Sequence, residues 1–199
     1  MVRLPKMPRF RASPSRLTKV NKNLTKAQRQ RVQNEEFGAL LKFACGRIPA
    51  ELASWLMSDC FDLESMQLVL PGRGRIAVTA NSVSRVLGLP NSGGQVKYEF
   101  DVDAIKFFNE EYGLEKGLAP SMDTIVERLM KNKEGDDDFF RSWLIIVVST
   151  FLCPTTCVSI SSKFYPPLVD LSDMKNLNWC QFMIDQLSTV LWKVIRRIL

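Results

Sequence analysis

The stretch Trp143–Cys153, "WLIIVVSTFLC", constrains the fold more than any other part of the chain. A helix through it is apolar nearly all round, so neighbouring elements must cover it on every side. Its eleven residues fall short of the ~20 that cross a bilayer. The run is therefore expected as a buried central helix, reaching about Leu152 and stopped by Pro154. Asp136, Asp137 and Asp138 stand just before it. Three successive carboxylates suggest a metal, but magnesium sites usually gather carboxylates from separated positions. Acid at a helix N-terminus is favoured by the macrodipole, and the three are expected to cap the central helix.

Helical spacing recurs around this run. Phe37, Leu40, Leu41, Ala44 and Cys45 predict a first helix from near Arg31 to Cys45, ended by Gly46, and the stretch Thr25 to Gln33 is able to join it. Pro49 fits the start of a second, with Leu52, Trp55 and Leu56 as its stripe. Thr79, Asp101 and Ser121 are N-cap residues for three more. Their inward faces are Val83, Val86 and Leu87; Ile105, Phe108 and Tyr112; and Ile125, Val126, Leu129 and Met130. A last helix starts near Asn176 and carries Trp179, Phe182, Leu187 and Leu191. Trp55, Leu87, Trp143, Leu144, Val147, Val148, Phe151 and Trp179 are expected inside.

The period changes to two at Met66, Leu68 and Leu70 and again at Ile76 and Val78, which predicts a hairpin over about 65–79. The link between the two runs, Pro71-Gly72-Arg73-Gly74, resembles a phosphate loop at first sight. Walker A, however, ends in Gly-Lys-Ser/Thr and leads into a helix, whereas here a strand follows. A dinucleotide loop needs a third glycine and a βαβ unit. The loop is read as a tight turn whose Arg73 and Arg75 face solvent, a secondary candidate for contact with an anionic partner.

Charge is distributed unevenly. Residues 1–31 hold Arg3, Lys6, Arg9, Arg11, Arg16, Lys19, Lys22, Lys26, Arg29 and Arg31 and no acid. The remaining 17 Lys and Arg face all 21 Asp and Glu, a net of −4. Pro5, Pro8 and Pro14 break any early helix. The expectation is a disordered basic arm over 1–31 and one mainly α, multi-helix domain over 32–199, in which the hairpin is the one β element. The ten cations are the candidate contacts to nucleic acid or to an import receptor.

The chain has no histidine. Ser-His-Asp and Cys-His nucleophile systems need an imidazole base, and His-containing zinc sites and His-ligated haem are excluded with them. The five cysteines, Cys45, Cys60, Cys153, Cys157 and Cys180, are odd in number and sit mostly in apolar helical contexts, and no apolar leader precedes them. They are read as reduced core thiols. Cys153 and Cys157 are spaced like half of a zinc site, but no second close pair or histidine completes it. No catalytic residue, metal or cofactor is assigned, and no membrane contact is expected.

Three stretches, "LPGRGRIAVTANSVSRVLGLPNSGG", "FLCPTT" and "YPPLVDLSDMKNLNWCQFMIDQL", resemble the plant mobile domain, also called the aminotransferase-like plant mobile domain, over about residues 37–190. That resemblance implies a mostly helical domain, a nuclear setting and a link to plant transposons or their silencing. It supplies no agreed reaction and no catalytic residues. A pyridoxal enzyme needs a Schiff-base lysine, an acidic partner for the ring nitrogen and a phosphate cup, and no such set is found. Some relatives continue into a SUMO-protease-type domain, so a C-terminally shortened form is expected. The leading reading is a non-catalytic interaction module with a basic arm for nuclear targeting or weak, non-specific nucleic-acid contact. The alternative is the accessory fragment of a longer protease-bearing protein. A basic, acid-free arm also fits an organellar transit peptide. Partner and oligomeric state stay open.

Overall fold

The computed structural model describes residues 13–46, 49–114, 119–154 and 160–195. The central run is a helix, α7 (Asp137–Val147), and every residue from Phe139 to Val147 is buried. It continues as one wider π-helical turn, Val148–Leu152, before Pro154. The capping expectation holds. Asp136 Oδ1 accepts from the Phe139 amide at 2.9 Å, and Asp137 and Asp138 occupy the first turn.

The helices that share one core with α7 are α1 (Pro14–Lys22), α2 (Lys26–Asn34), α5 (Val102–Glu111), α6 (Met122–Lys131), the short α8 (Pro166–Val169) and α9 (Trp179–Ile195). The antiparallel sheet of β1 (Phe61–Asp62), β2 (Gln67–Leu70) and β3 (Gly74–Ala77) lies between α3 (Ala50–Trp55) and α4 (Ala80–Leu87) in the chain. Thr79, Asp101 and Ser121 cap α4, α5 and α6 as expected, each accepting from the amide three residues on.

The largest correction concerns the basic N-terminus. The reading of residues 1–31 as a disordered arm does not hold from Ser13 on, because α1 and α2 are folded parts of the domain. Leu17 and Val20 are buried, as are Leu24, Gln28 and Val32. Pro14 does not break a helix; it occupies the first turn of α1, where a missing N–H costs nothing. Thr25 and Gln28 form a reciprocal capping box at the start of α2. The Asn21 amide ties the pair to the core. Its Nδ2 donates to the Leu40 carbonyl at 2.9 Å, and its Oδ1 accepts from Trp143 Nε1 at 3.0 Å.

The first helix expected over Arg31–Cys45 is two pieces. α2 ends at Asn34, Glu36 adopts a left-handed φ of 65°, and a 3₁₀ turn follows at Gly38–Lys42. The reversal aims Phe37 into the core. Its ring packs edge-on against Trp179 at 5.2 Å, Phe140 at 6.0 Å and Trp143 at 6.1 Å between centroids. Burying a side chain of this size contributes about 1.5–3 kcal/mol, and this outweighs the strain at Glu36.

The hairpin pairs Leu70 with Gly74, Val69 with Arg75 and Leu68 with Ile76. A short third strand, β1, extends it on the far side of β2, an addition the alternating pattern does not reveal. Gly72 and Gly74 both have positive φ, as so tight a turn requires. The region around it is peripheral. From Pro49 to Val78, Cys60 is the only buried residue. Trp55, expected inside, is 40% exposed, and Leu52, Ile76 and Val86 are also exposed. Leu87 and Phe151 are half-buried against the core rather than sealed in it. Trp143, Leu144, Val147, Val148 and Trp179 are buried as expected.

Candidate nucleic-acid interface

Arg3, Lys6, Arg9 and Arg11 lie outside the described residues. The other six N-terminal cations divide by chemistry. The three arginines serve the fold. Arg16 Nη1 bonds Asp123 at 2.8 Å. Arg29 Nη2 donates to the Asn21 carbonyl, bracing α1 against α2. Arg31 holds Glu35 at 3.1 Å and Asp137 at 2.8 Å while its guanidinium lies 5.0 Å from the centre of the Phe140 ring. Arg31 thus links α2 to the start of the central helix.

The three lysines are different. Lys19, Lys22 and Lys26 are exposed and pair with no carboxylate among the described residues. Lys19 and Lys22 sit in the last turn of α1, and Lys26 opens α2. The three therefore flank the turn that joins the two helices. A rigid point charge on a flexible stem attracts a phosphate backbone without reading bases.

Arg73 and Arg75 belong to the peripheral hairpin. Both are exposed, and the Arg73 amide closes the turn onto the Leu70 carbonyl at 3.0 Å. The loop runs strand to strand, so no helix N-terminus faces it as in a phosphate loop.

Two of the three acidic residues expected as caps, Asp137 and Asp138, are also ion-pair partners. Arg128 donates through Nε to Asp138 at 2.7 Å and through its other nitrogens to Glu111, and it stacks 4.4 Å from the centre of the Tyr112 ring. An open cleft of about 560 Å³ lies beside this group, lined by Thr124, Glu127, Arg128, Lys131, Asn132, Asp136 and Asp138. Its charges are mixed, and Arg128 and Asp138 pair with each other. Among the described residues no three Cys, Asp or Glu gather as metal ligands; Cys157 lies outside them. Burial pushes the Cys153 and Cys180 thiols up from their ordinary pKa, the opposite of nucleophile activation. No helix among the described residues is long and apolar enough to cross a membrane.

No curated protein and no solved structure matches this chain. One family model does, over residues 10–195. The chain accordingly belongs to the family described as domain of unknown function DUF8566.

Proposed function

We propose that this protein is a non-catalytic, nuclear interaction module of a transposon-derived plant protein, and that it touches nucleic acid weakly and without sequence preference. The observation that carries the contact is the corner of Lys19, Lys22 and Lys26, exposed and unpaired by the described residues. Arg3, Lys6, Arg9 and Arg11 precede it in the chain. The plant and transposon setting rests on the resemblance of the hairpin, the "VLGLPNSGG" block and the "NWCQFMIDQL" helix to the plant mobile domain. The non-catalytic reading rests on the missing imidazole and the lack of a cofactor constellation.

The experiment is duplex DNA binding by fluorescence anisotropy between 50 and 200 mM salt, a range over which counterion release is read directly. If about five phosphates are met, log affinity falls against log salt with a slope near −4 to −5. Removing residues 1–12 leaves three lysines and a slope of roughly −2 to −3. Removal of 1–31 is not a clean test, because it takes α1 and most of α2 out of the core. Affinity that is absent, or indifferent to salt, refutes the contact.

A further inference from the structure

Arg141 is a charge that the described chain does not neutralise. It lies in α7, where every residue from Phe139 to Val147 is buried, and is itself 8% exposed. Its Nε donates to the Leu168 carbonyl at 2.8 Å, and its guanidinium carbon sits 5.2 Å from the centre of the Phe107 ring. It is therefore held where α5, α7 and α8 meet. No carboxylate among the described residues lies within ion-pairing distance. The two that helical spacing brings nearest are engaged elsewhere, Asp137 by Arg31 and Asp138 by Arg128. The contrast is with those same two arginines. Arg31 and Arg128 are less buried, and each holds two carboxylates.

A guanidinium does not shed its proton at ordinary pH. An unpaired charge in a poorly solvated interior is costly. One carbonyl and one aromatic face offset only part of that cost. The two Nη groups make no hydrogen bond to a described residue, and neither is among the buried polar atoms left without a partner. Arg141 keeps 8% of its surface open to solvent. Nearby, the Tyr112 hydroxyl lies 3.5 Å from Ser142 Oγ, next in the chain to Arg141. Burial pushes that phenol above its ordinary pKa, and the Arg141 guanidinium is among the groups that draw it back down.

We propose that Arg141, at the junction of α5, α7 and α8, binds a small oxoanion, phosphate or carboxylate, by gripping two of its oxygens with the guanidinium fork. The site is separate from the lysine corner and does not depend on it.

The test is a titration of the full chain with inorganic phosphate, and separately with acetate, at an ionic strength held constant with chloride. The readouts are the NMR signal of the Arg141 Nε–H group and the melting temperature. The expected result is a saturable movement of that signal with one anion or both, and a melting temperature that rises along the same curve. Whichever anion gives it names the source of the oxygens. Arg141→Lys keeps the charge but loses the fork, and should weaken binding about tenfold or more. Arg141→Met should abolish the response. A signal that neither anion moves overturns the proposal, as does a rise in melting temperature equal in the parent and in Arg141→Met. If the Met variant does not fold, the Nε–H titration of the parent decides alone.

Discussion

Asn21 shows how one side chain can make a charged segment structural. It is 3% exposed and satisfies the Leu40 carbonyl and the Trp143 indole together. Asn21→Ala strands the Trp143 indole N–H inside the core and leaves the Leu40 carbonyl with the Phe43 amide as its one remaining donor. Equilibrium urea unfolding should show a loss of about 1–3 kcal/mol, the cost of one buried group left unpaired. Tyr165 is the converse. Its hydroxyl is buried with no partner among the described residues, and burial pushes its pKa up to about 12. Tyr165→Phe should therefore raise stability by about 1 kcal/mol at neutral pH. The sign at high pH follows from the same shift. The unfolded phenol ionises from about pH 10 while the folded one resists, so the native preference is intact below pH 10 and is lost as pH rises toward 12. Unfolding curves from pH 9 to 12 should fall less steeply for the phenylalanine variant.

At the scale of elements, the central run and the caps were legible because each carries a local physical signature. An unbroken apolar stretch has one stable place, and Thr79, Asp101, Ser121 and Asp136 cap by side-chain chemistry that needs no tertiary context. α1 is missed by the sequence pattern and α2 is caught only as Thr25 to Gln33, a stretch able to join the first helix, although Leu17, Val20 and Leu24 have helical spacing and Thr25–Gln28 spells a capping box. Ten cations and three prolines outweighed those signs. The break at Glu36 has no sequence signature, because a left-handed glutamate is imposed by the burial of Phe37. The exposure of Trp55 was equally hidden, since a stripe does not say what covers it. Among the candidate site residues, exposed and fold-bound cations look identical in sequence. Arg141 stands out only when its neighbours' carboxylates are seen to be engaged elsewhere. The "NSGG" block, read as a turn, also makes a tertiary joint. Gly94 bridges in parallel to Leu177, and the Gly94 amide donates to the Asn176 carbonyl at 2.8 Å. Gly93 has a φ of 98°, and a Cβ there would lie 1.8 Å from the Asn176 oxygen. Gly93→Ala should cost at least about 3 kcal/mol and lower the thermal melting midpoint accordingly. A variant that melts with the parent would show that this joint does not form.

For the whole molecule, the family match begins at residue 10, ahead of α1. Most of the N-terminal charge therefore lies inside the domain, divided between arginines that hold the fold and lysines that face outward. Comparing two triple variants tests that division most directly, with duplex DNA affinity and melting temperature measured side by side. Lys19, Lys22 and Lys26 all changed to Gln should melt with the parent and lose about 2–3 units of salt slope. Arg16, Arg29 and Arg31 all changed to Gln should melt roughly 5 °C or more below it, as expected for the loss of about 2 kcal/mol in a domain of this size. Below its lower melting point this second variant should keep the parent's slope. An arginine triple that melts with the parent, or a lysine triple that binds DNA unchanged, would contradict the account.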